Sequence, residues 1–249
     1  DEASQTGIIT DHNVSIAGGA ERVRYYVSGD YLSQKGVLKG FNYKRYSLRT
    51  NVDMDVTDYL KVGTNTYIAS HNRDGGRVNF LNAEAMSPWG KMYNDDGSYC
   101  IYPMASEQLW TNPMIGTNKQ AERRQWNVSI NGFAEVDFGH IWKPLAGLKY
   151  KLNAGFSYAP KRENTYTGAA ANDLNGTGKI FNAETQTYTI ENIVSYAKDI
   201  DKHHFDLTGL YAASRKKYSE STAQGQKFIN DDLGFNNLEG AESPYVKSY

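Results

Sequence analysis

The sequence contains one cysteine, Cys100, which excludes an internal disulfide framework and a multi-thiolate metal site. It has no run of about 18 apolar residues, which excludes a transmembrane helix. The formal net charge is only -1, so no basic excess points to nucleic acid as a partner. The first ten residues are polar and have no apolar h-region, so we expect no signal peptide here and interpret the chain as mature or as a fragment.

Catalytic motifs are also missing from the sequence. We find no nucleophile elbow, no P-loop and no zinc motif. His203 and His204 are adjacent but have no carboxylate-rich motif nearby, which favours a turn over a metal site. Asp95-Asp96-Gly97 is a turn signal that lacks the spaced ligands of an EF-hand loop. The sequence therefore predicts a protein that is not an enzyme and has no cofactor and no metal ion.

Alternating side chains are the dominant pattern that is present. From Val23 to Tyr31, apolar and aromatic residues at odd positions alternate with polar residues at even positions, apart from Tyr26. From Arg45 to Met54, Tyr46, Leu48, Val52 and Met54 alternate in the same way with charged or polar residues. A period of two with opposite chemistry on the two sides indicates a β-strand with one apolar and one polar face.

Eight such strands are predicted, and the fold class is all-β. Their approximate ranges are 12–18, 22–33, 43–55, 60–70, 124–138, 148–158, 185–198 and 204–214. The glycine pair Gly18-Gly19 predicts the first tight turn. Residues 78–86 predict one or two helical turns within a long irregular segment.

Three features favour a transmembrane antiparallel β-barrel. Apart from the first, the predicted strands are roughly 10–14 residues long, whereas strands in soluble proteins average about five or six. Short and long connections alternate, as in outer-membrane barrels, and we expect the long extracellular loops at about 34–42, 71–123, 160–184 and 215–249. Aromatic pairs near both ends of the apolar faces fit two interfacial girdles: Tyr25 and Tyr31, Trp126 and Phe138, Tyr150 and Tyr158, Tyr188 and Tyr196. A soluble β-sandwich also alternates and is the alternative.

Seven segments carry a resemblance to a known family: HNVSIAGG at 12–19, YYVS at 25–28, YLSQKGV at 31–37, YKRYSLRTN at 43–51, DYLKVG at 58–63, ENIVSY at 191–196 and HFDL at 204–207. They closely resemble the SusC/RagA family of TonB-dependent outer-membrane transporters of Bacteroidota. The resemblance is most specific in the first seventy residues and looser in the loops.

The family resemblance implies a 22-stranded barrel with an N-terminal plug, so the eight strands are expected to form part of one. It also implies import of oligosaccharides or oligopeptides together with a SusD-like surface lipoprotein, in the cell outer membrane. No plug domain or TonB box is visible, so we expect residues 1–249 to be a middle segment of one barrel domain. Contact with TonB would then run through the missing N-terminal part, and the apolar faces would meet outer-membrane lipid.

Two alternatives remain open at this stage. The eight strands are enough to close into a complete small outer-membrane barrel, which would be an adhesin or an enzyme. The chain also fits a soluble carbohydrate-binding β-domain.

The long irregular segment supplies the first candidate site. Its aromatic residues fit stacking on sugar rings or contact with the lipoprotein lid; they are Trp89, Tyr93, Tyr99, Tyr102 and Trp110. The alternative is that these side chains pack the loop against itself.

The polar strand faces supply the second candidate site. Six charged residues are expected to face the lumen, where they would contact substrate or plug: Arg24, Asp30, Arg45, Arg49, Asp53 and Glu135. The alternative is a ladder of cross-strand charge pairs on a wet wall.

Overall fold

The computed structural model describes residues 2–249, which form one antiparallel sheet. The strands follow in chain order, and each is hydrogen-bonded to the next. Their bounds are β1 Ile8–Ala20, β2 Val23–Lys35, β3 Asn42–Asp55, β4 Leu60–Asn72, β5 Gln120–Asp137, β6 Leu148–Thr167, β7 Thr177–Ile200, β8 His203–Gln226 and β9 Tyr245–Ser248. The eight predicted strands are present, and a short ninth strand follows them.

The two ends of the sheet differ in their connections. At the short-turn end, strands are joined by residues 21–22, 56–59, 138–147 and 201–202; at the long-loop end, they are joined by residues 36–41, 73–119, 168–176 and 227–244. Helix α1, Phe80–Ala85, confirms the predicted helical turns, and α2, Phe138–Ile141, lies in the third short connection. No helix within residues 2–249 is long and apolar enough to cross a membrane.

The sheet has an apolar face and a polar face, as the alternation predicts. The apolar face is open: Ile16 is 64% exposed, Leu48 and Ile130 are each 44% exposed, and Tyr211 is 68% exposed. On the polar face, neighbouring side chains partly cover Arg45 and Asp53. A sheet in water covers its apolar face with a second layer, whereas within residues 2–249 the middle of that face carries no second layer.

The long connection 73–119 has a small core of its own. Val78, Met114 and Ile115 are buried there. Asn112 accepts a hydrogen bond from the Met114 backbone at 2.9 Å and donates one to the Met92 carbonyl at 2.9 Å. These bonds satisfy backbone groups that no sheet partner reaches, so the segment is a folded unit although it has little regular structure.

Two segments predicted as irregular loops are strands over much of their length. In the range 160–184, β6 continues to Thr167 and β7 begins at Thr177, and in the range 215–249, β8 continues to Gln226. The glycine, asparagine and threonine content there favours loops locally. Pairing of β6 with β7 from Leu148↔Tyr196 to Thr167↔Thr177 overrides that preference, because each strand supplies partners for the other's backbone.

Residues 227–241, which we call the strap, cover the extended strands on their apolar-face side. The rings of Tyr166 and Phe228 meet edge to face with centroids 5.1 Å apart. A Cβ on Gly178 would lie 2.7 Å from the Leu238 Cδ2 atom, so the strap lies directly on β7. Tyr166 is only 2% exposed as a result.

The first turn lies beyond the predicted glycine pair, at Glu21 and Arg22, and both glycines belong to β1. Gly18 faces Tyr25 across the ladder, and a Cβ at Gly18 would lie 2.5 Å from the tyrosine hydroxyl. Gly18 therefore leaves room for the Tyr25 ring, and its φ is not positive. Strand β5 also ends one residue earlier than predicted, because Asp137 caps α2 through the Gly139 backbone N–H at 3.0 Å.

Candidate functional site

The six charged candidates all lie on the polar face. Arg24 and Asp30 are on β2; Arg45, Arg49 and Asp53 are on β3; and Glu135 is on β5. The register places Arg24 directly opposite Asp53, and Glu135 directly opposite Lys61 and Lys151. The backbone thus arranges opposite charges in rows across neighbouring strands.

Asp30 and Arg45 form the close pair of this group. The Asp30 Oδ1 atom accepts hydrogen bonds from Arg45 Nη2 at 2.7 Å, from Arg45 Nε at 3.1 Å and from the Ser47 hydroxyl at 3.2 Å. Within residues 2–249, Arg24, Arg49, Asp53 and Glu135 make no ion pair shorter than 4.0 Å. Of the predicted ladder of charge pairs, the described chain therefore forms the Asp30–Arg45 ion pair, while the other four candidates have no ion-pair partner.

A row of asparagines near the middle of the polar face escaped the sequence reasoning. Asn51, Asn65 and Asn131 are aligned across β3, β4 and β5. They line a cavity of about 450 Å³ with Asp53 and Glu191. The Asn51 side-chain oxygen is buried there without a hydrogen-bond partner within the described chain. The recurrence of Asn at polar strand positions was the available signal.

The aromatic candidates of the long connection 73–119 divide into two kinds. Tyr93 and Tyr99 pair with ring centroids 5.4 Å apart, and the Tyr93 hydroxyl donates a hydrogen bond to Glu2 at 3.2 Å. Trp89, in contrast, is 90% exposed. Tyr102 is exposed and Trp110 is half-buried. The tyrosine pair packs the loop against itself, while Trp89 presents a free indole face.

A cationic cavity at the long-loop end was also missed. Its lining includes Arg73, Arg77, Arg123 and Lys161, and its volume is about 240 Å³. His71 also lines it; its Nδ1 atom lies 2.7 Å from the Tyr43 hydroxyl and its Nε2 atom lies 2.9 Å from the Asn127 amide nitrogen. These arginines are separated in sequence, so their convergence depends on the pairing of β4 with β5.

The histidines predicted to lie in a turn are instead the first two residues of β8, directly after the turn at 201–202, and His204 has a carboxylate partner on β7. The His204 Nδ1 atom lies 2.6 Å from Asp199 Oδ1, and both side chains are exposed. The contact joins the two strands where they meet the short turn.

The chain is similar in sequence to TonB-dependent receptors and in structure to a solved importer. It is 29% identical to TonB-dependent receptor P3 of Formosa agariphila over 96% of this chain, and 25% identical to TonB-dependent receptor SusC of Bacteroides thetaiotaomicron over 83%. Among solved structures, the RagAB peptide importer in its closed-closed state superposes with a TM-score of 0.72 over 100% of this chain, at 21% identity. No protein-family model matches the chain.

The chain spans only part of these proteins. The aligned part is 25% of the P3 receptor, 23% of SusC and 29% of the RagAB chain. The superposition shows a shared barrel fold, and the two sequence matches confirm the resemblance to SusC.

Proposed function

The chain is a homologue of the TonB-dependent receptors, SusC among them, and on this basis we propose that it forms part of the wall of an outer-membrane nutrient importer. Such an importer moves its cargo without chemical change, because the wall supplies passage and binding rather than catalysis. The strands β1 to β8 would be eight members of a larger barrel. The long-loop end would face the cell exterior and the short-turn end the periplasm.

The open apolar face is the observation that carries this proposal. A bilayer-crossing strand needs about 9–11 residues when it is tilted, and β1 to β8 each have at least 13. At the long-loop end of that face, Tyr31 lies between His12 and Tyr46, with ring centroids 6.4 Å and 4.9 Å away. Such a row of rings fits the interface between hydrocarbon and headgroups. The polar face, with its six charged candidates, would then border the lumen.

The proposed partners follow from placing the long-loop end at the cell exterior and the polar face at the lumen. A SusD-like surface lipoprotein would cover the long-loop end, where Trp89 is exposed. Oligosaccharides or oligopeptides are the proposed cargo; the RagAB relative is itself a peptide importer. Energy would come from TonB, acting on a plug in the part of the protein outside this chain.

The first test is the intact mass of the polypeptide extracted from native outer membrane. The aligned part is 25% of the P3 receptor, so we expect about four times the 27.9 kDa of this chain. We also expect a lipoprotein to co-purify. A mass near 27.9 kDa would contradict the proposal, because eight strands would then have to close on themselves or belong to a soluble protein.

A further inference from the structure

Three arginines meet on the polar face at the long-loop end of the sheet. Arg73 follows β4 directly, and its backbone N–H donates to the Arg123 carbonyl on β5 at 2.9 Å. Arg77 lies four residues further on and lines the same cavity. Neighbouring lining residues on the sheet are His71, Gln125, Lys161 and Glu163. Like charges directly opposite each other on neighbouring strands destabilise a sheet.

None of the three guanidinium groups has a carboxylate partner within 4.0 Å among residues 2–249. Aromatic and backbone contacts hold them instead. The Arg73 guanidinium lies 5.2 Å from the Tyr43 ring centroid, and that of Arg77 lies 4.9 Å from the Phe41 ring centroid. Arg123 Nη1 donates to the Gly75 carbonyl at 3.1 Å. The Nε–H of Arg77 is buried and has no acceptor in the described chain.

The nearby carboxylates are already engaged by other groups. Glu163 pairs with Lys161 at 3.0 Å. Asp74 accepts from Arg124 Nε at 3.0 Å and from the Arg123 backbone N–H at 2.7 Å. Positive charge therefore exceeds negative charge at this cavity. Burial, followed by repulsion from Arg123 and Arg73, lowers the pKa of Arg77 below its ordinary value.

We propose that Arg73, Arg77 and Arg123 form an oxyanion-binding site that takes a carboxylate group of the cargo. A guanidinium group offers planar, paired donors that match such anions. The cavity volume of about 240 Å³ suits one such group rather than a whole oligomer. This inference rests on the proposed function, because it places the site on the luminal face near the cell exterior, where entering cargo passes.

The guanidinium groups are held in position but are not neutralised, as expected of an anion-binding site. Tyr43 and Phe41 position two of the guanidinium groups without neutralising them. A purely structural role would be served better by a further carboxylate, since unpaired like charges cost stability. An entering anion satisfies the Arg77 donor and relieves the repulsion at the same time.

The test uses the full-length transporter purified in detergent at low salt. The probes are a galacturonic acid tetrasaccharide with its neutral galactose counterpart, and tetraglutamate with tetraglutamine. We expect wild type to bind one acidic probe about tenfold or more tightly than its neutral counterpart. The acidic probe that responds identifies the cargo as saccharide or peptide.

Matched variants separate the site from general electrostatics. We expect Arg77→Gln with Arg123→Gln to weaken acidic-probe binding about tenfold or more and to leave neutral-probe binding unchanged. The control is Arg22→Gln, at the short-turn end, where Arg22 pairs with Asp58. Arg77→Gln alone is the second variant. Without probe its melting temperature should equal or exceed that of wild type, because one repelling charge is gone, and the stabilisation by acidic probe should shrink.

Equal binding of acidic and neutral probes by wild type would overturn the inference. So would unchanged acidic-probe affinity in the single and double variants. Either result leaves the proposed function intact if the intact mass is about four times that of this chain and a lipoprotein co-purifies. A mass near 27.9 kDa would instead remove the proposed function itself, whatever the probes show.

Discussion

The Tyr166 hydroxyl donates a hydrogen bond to Asp231 Oδ1 at 2.6 Å and so ties the strap to β6. The other carboxylate oxygen of Asp231 accepts from the Ala169 backbone N–H at 2.8 Å. One carboxylate therefore joins a strand, a turn and the strap. Burial and Asp231 raise the pKa of Tyr166, which keeps its proton on the hydroxyl in the folded state.

Tyr166→Phe should loosen the strap without unfolding the sheet. The lost bond has a charged acceptor, for which about 1.5–3 kcal/mol is typical. We expect faster proteolysis within residues 227–241 of the full-length protein and an unchanged global melting temperature, since the opening is local. Tyr218→Phe is the control, because Tyr218 is exposed and bonds Glu220 on its own strand. Equal cleavage rates in the two variants would contradict the role of Tyr166.

Gly18→Leu should destabilise the sheet through Tyr25. A Cβ at this position meets the Tyr25 hydroxyl at 2.5 Å, so the ring has to move. Overpacking costs about 1–3 kcal/mol in a packed core, and we expect less here because Tyr25 is 44% exposed and its ring can turn aside. On heating before a detergent gel, the protein should stop migrating as the compact folded species at a lower temperature than wild type. Adding Tyr25→Ala should restore part of that loss; if it restores none, the conflict does not lie with the ring.

Ile130→Arg tests which face meets lipid. Ile130 is 44% exposed on the apolar face, and its neighbour Asn131 lies on the polar face. An arginine facing lipid near the bilayer midplane costs about 2–4 kcal/mol. We expect Ile130→Arg to lower the yield of folded protein in the membrane and Asn131→Arg to leave it nearly unchanged. Equal yields would argue against a lipid-facing apolar surface.

Trp89→Ala tests the proposed lipoprotein contact. Trp89 is 90% exposed at the long-loop end, and Trp142 is 62% exposed at the short-turn end. Removing either indole should change the free energy of unfolding by no more than about 0.5 kcal/mol, as at other exposed positions. We expect only Trp89→Ala to reduce the amount of lipoprotein retained on purification. Full retention would assign the Trp89 indole no part in that contact.

The pKa of His204 should lie above the ordinary pKa of a histidine. Its hydrogen bond with Asp199, reinforced by charge attraction, raises the pKa of His204 above 6.5. Because the folded pKa is the higher one, the stabilising contact is complete below pH 6.5 and is lost as pH rises through the folded pKa. Histidine-selective NMR can follow this, with His204→Gln identifying the signal. Asp199→Asn should return the pKa toward 6.5, and no change would exclude Asp199 as the cause.

The sequence predicted the strands best where apolar residues occupy every second position. Around Leu48 and Ile130 the alternation is strict, and the faces are as predicted. Beyond Tyr158 and before Tyr188 the alternation is lost, and the strap covers part of these segments. Pro160 and the glycines there look like loop residues, yet long-range pairing of β6 with β7 and of β7 with β8 keeps them in strands.

The candidate-site residues could likewise be placed from the sequence only where they lie in regularly alternating strands. Strand parity was enough to place Asp30 and Arg45 on one face, because each follows a regular period. It was not enough to bring Arg77 beside Arg123, since Arg77 lies in a connection that has no period. That juxtaposition depends on the fold of the connection 73–119, which packs through Asn112 and its buried neighbours.

Only seven hydrophobic residues are buried in the described chain, and Ala69 is the one among them that lies within β1 to β5. Within the described chain, most polar-face side chains of these strands are therefore not packed against a hydrophobic interior. A substitution among them should cost the folding of this sheet little, provided that the backbone ladder and the apolar side chains stay as they are. A sheet of this kind can change the chemistry of its polar surface while its hydrogen-bonded frame stays the same.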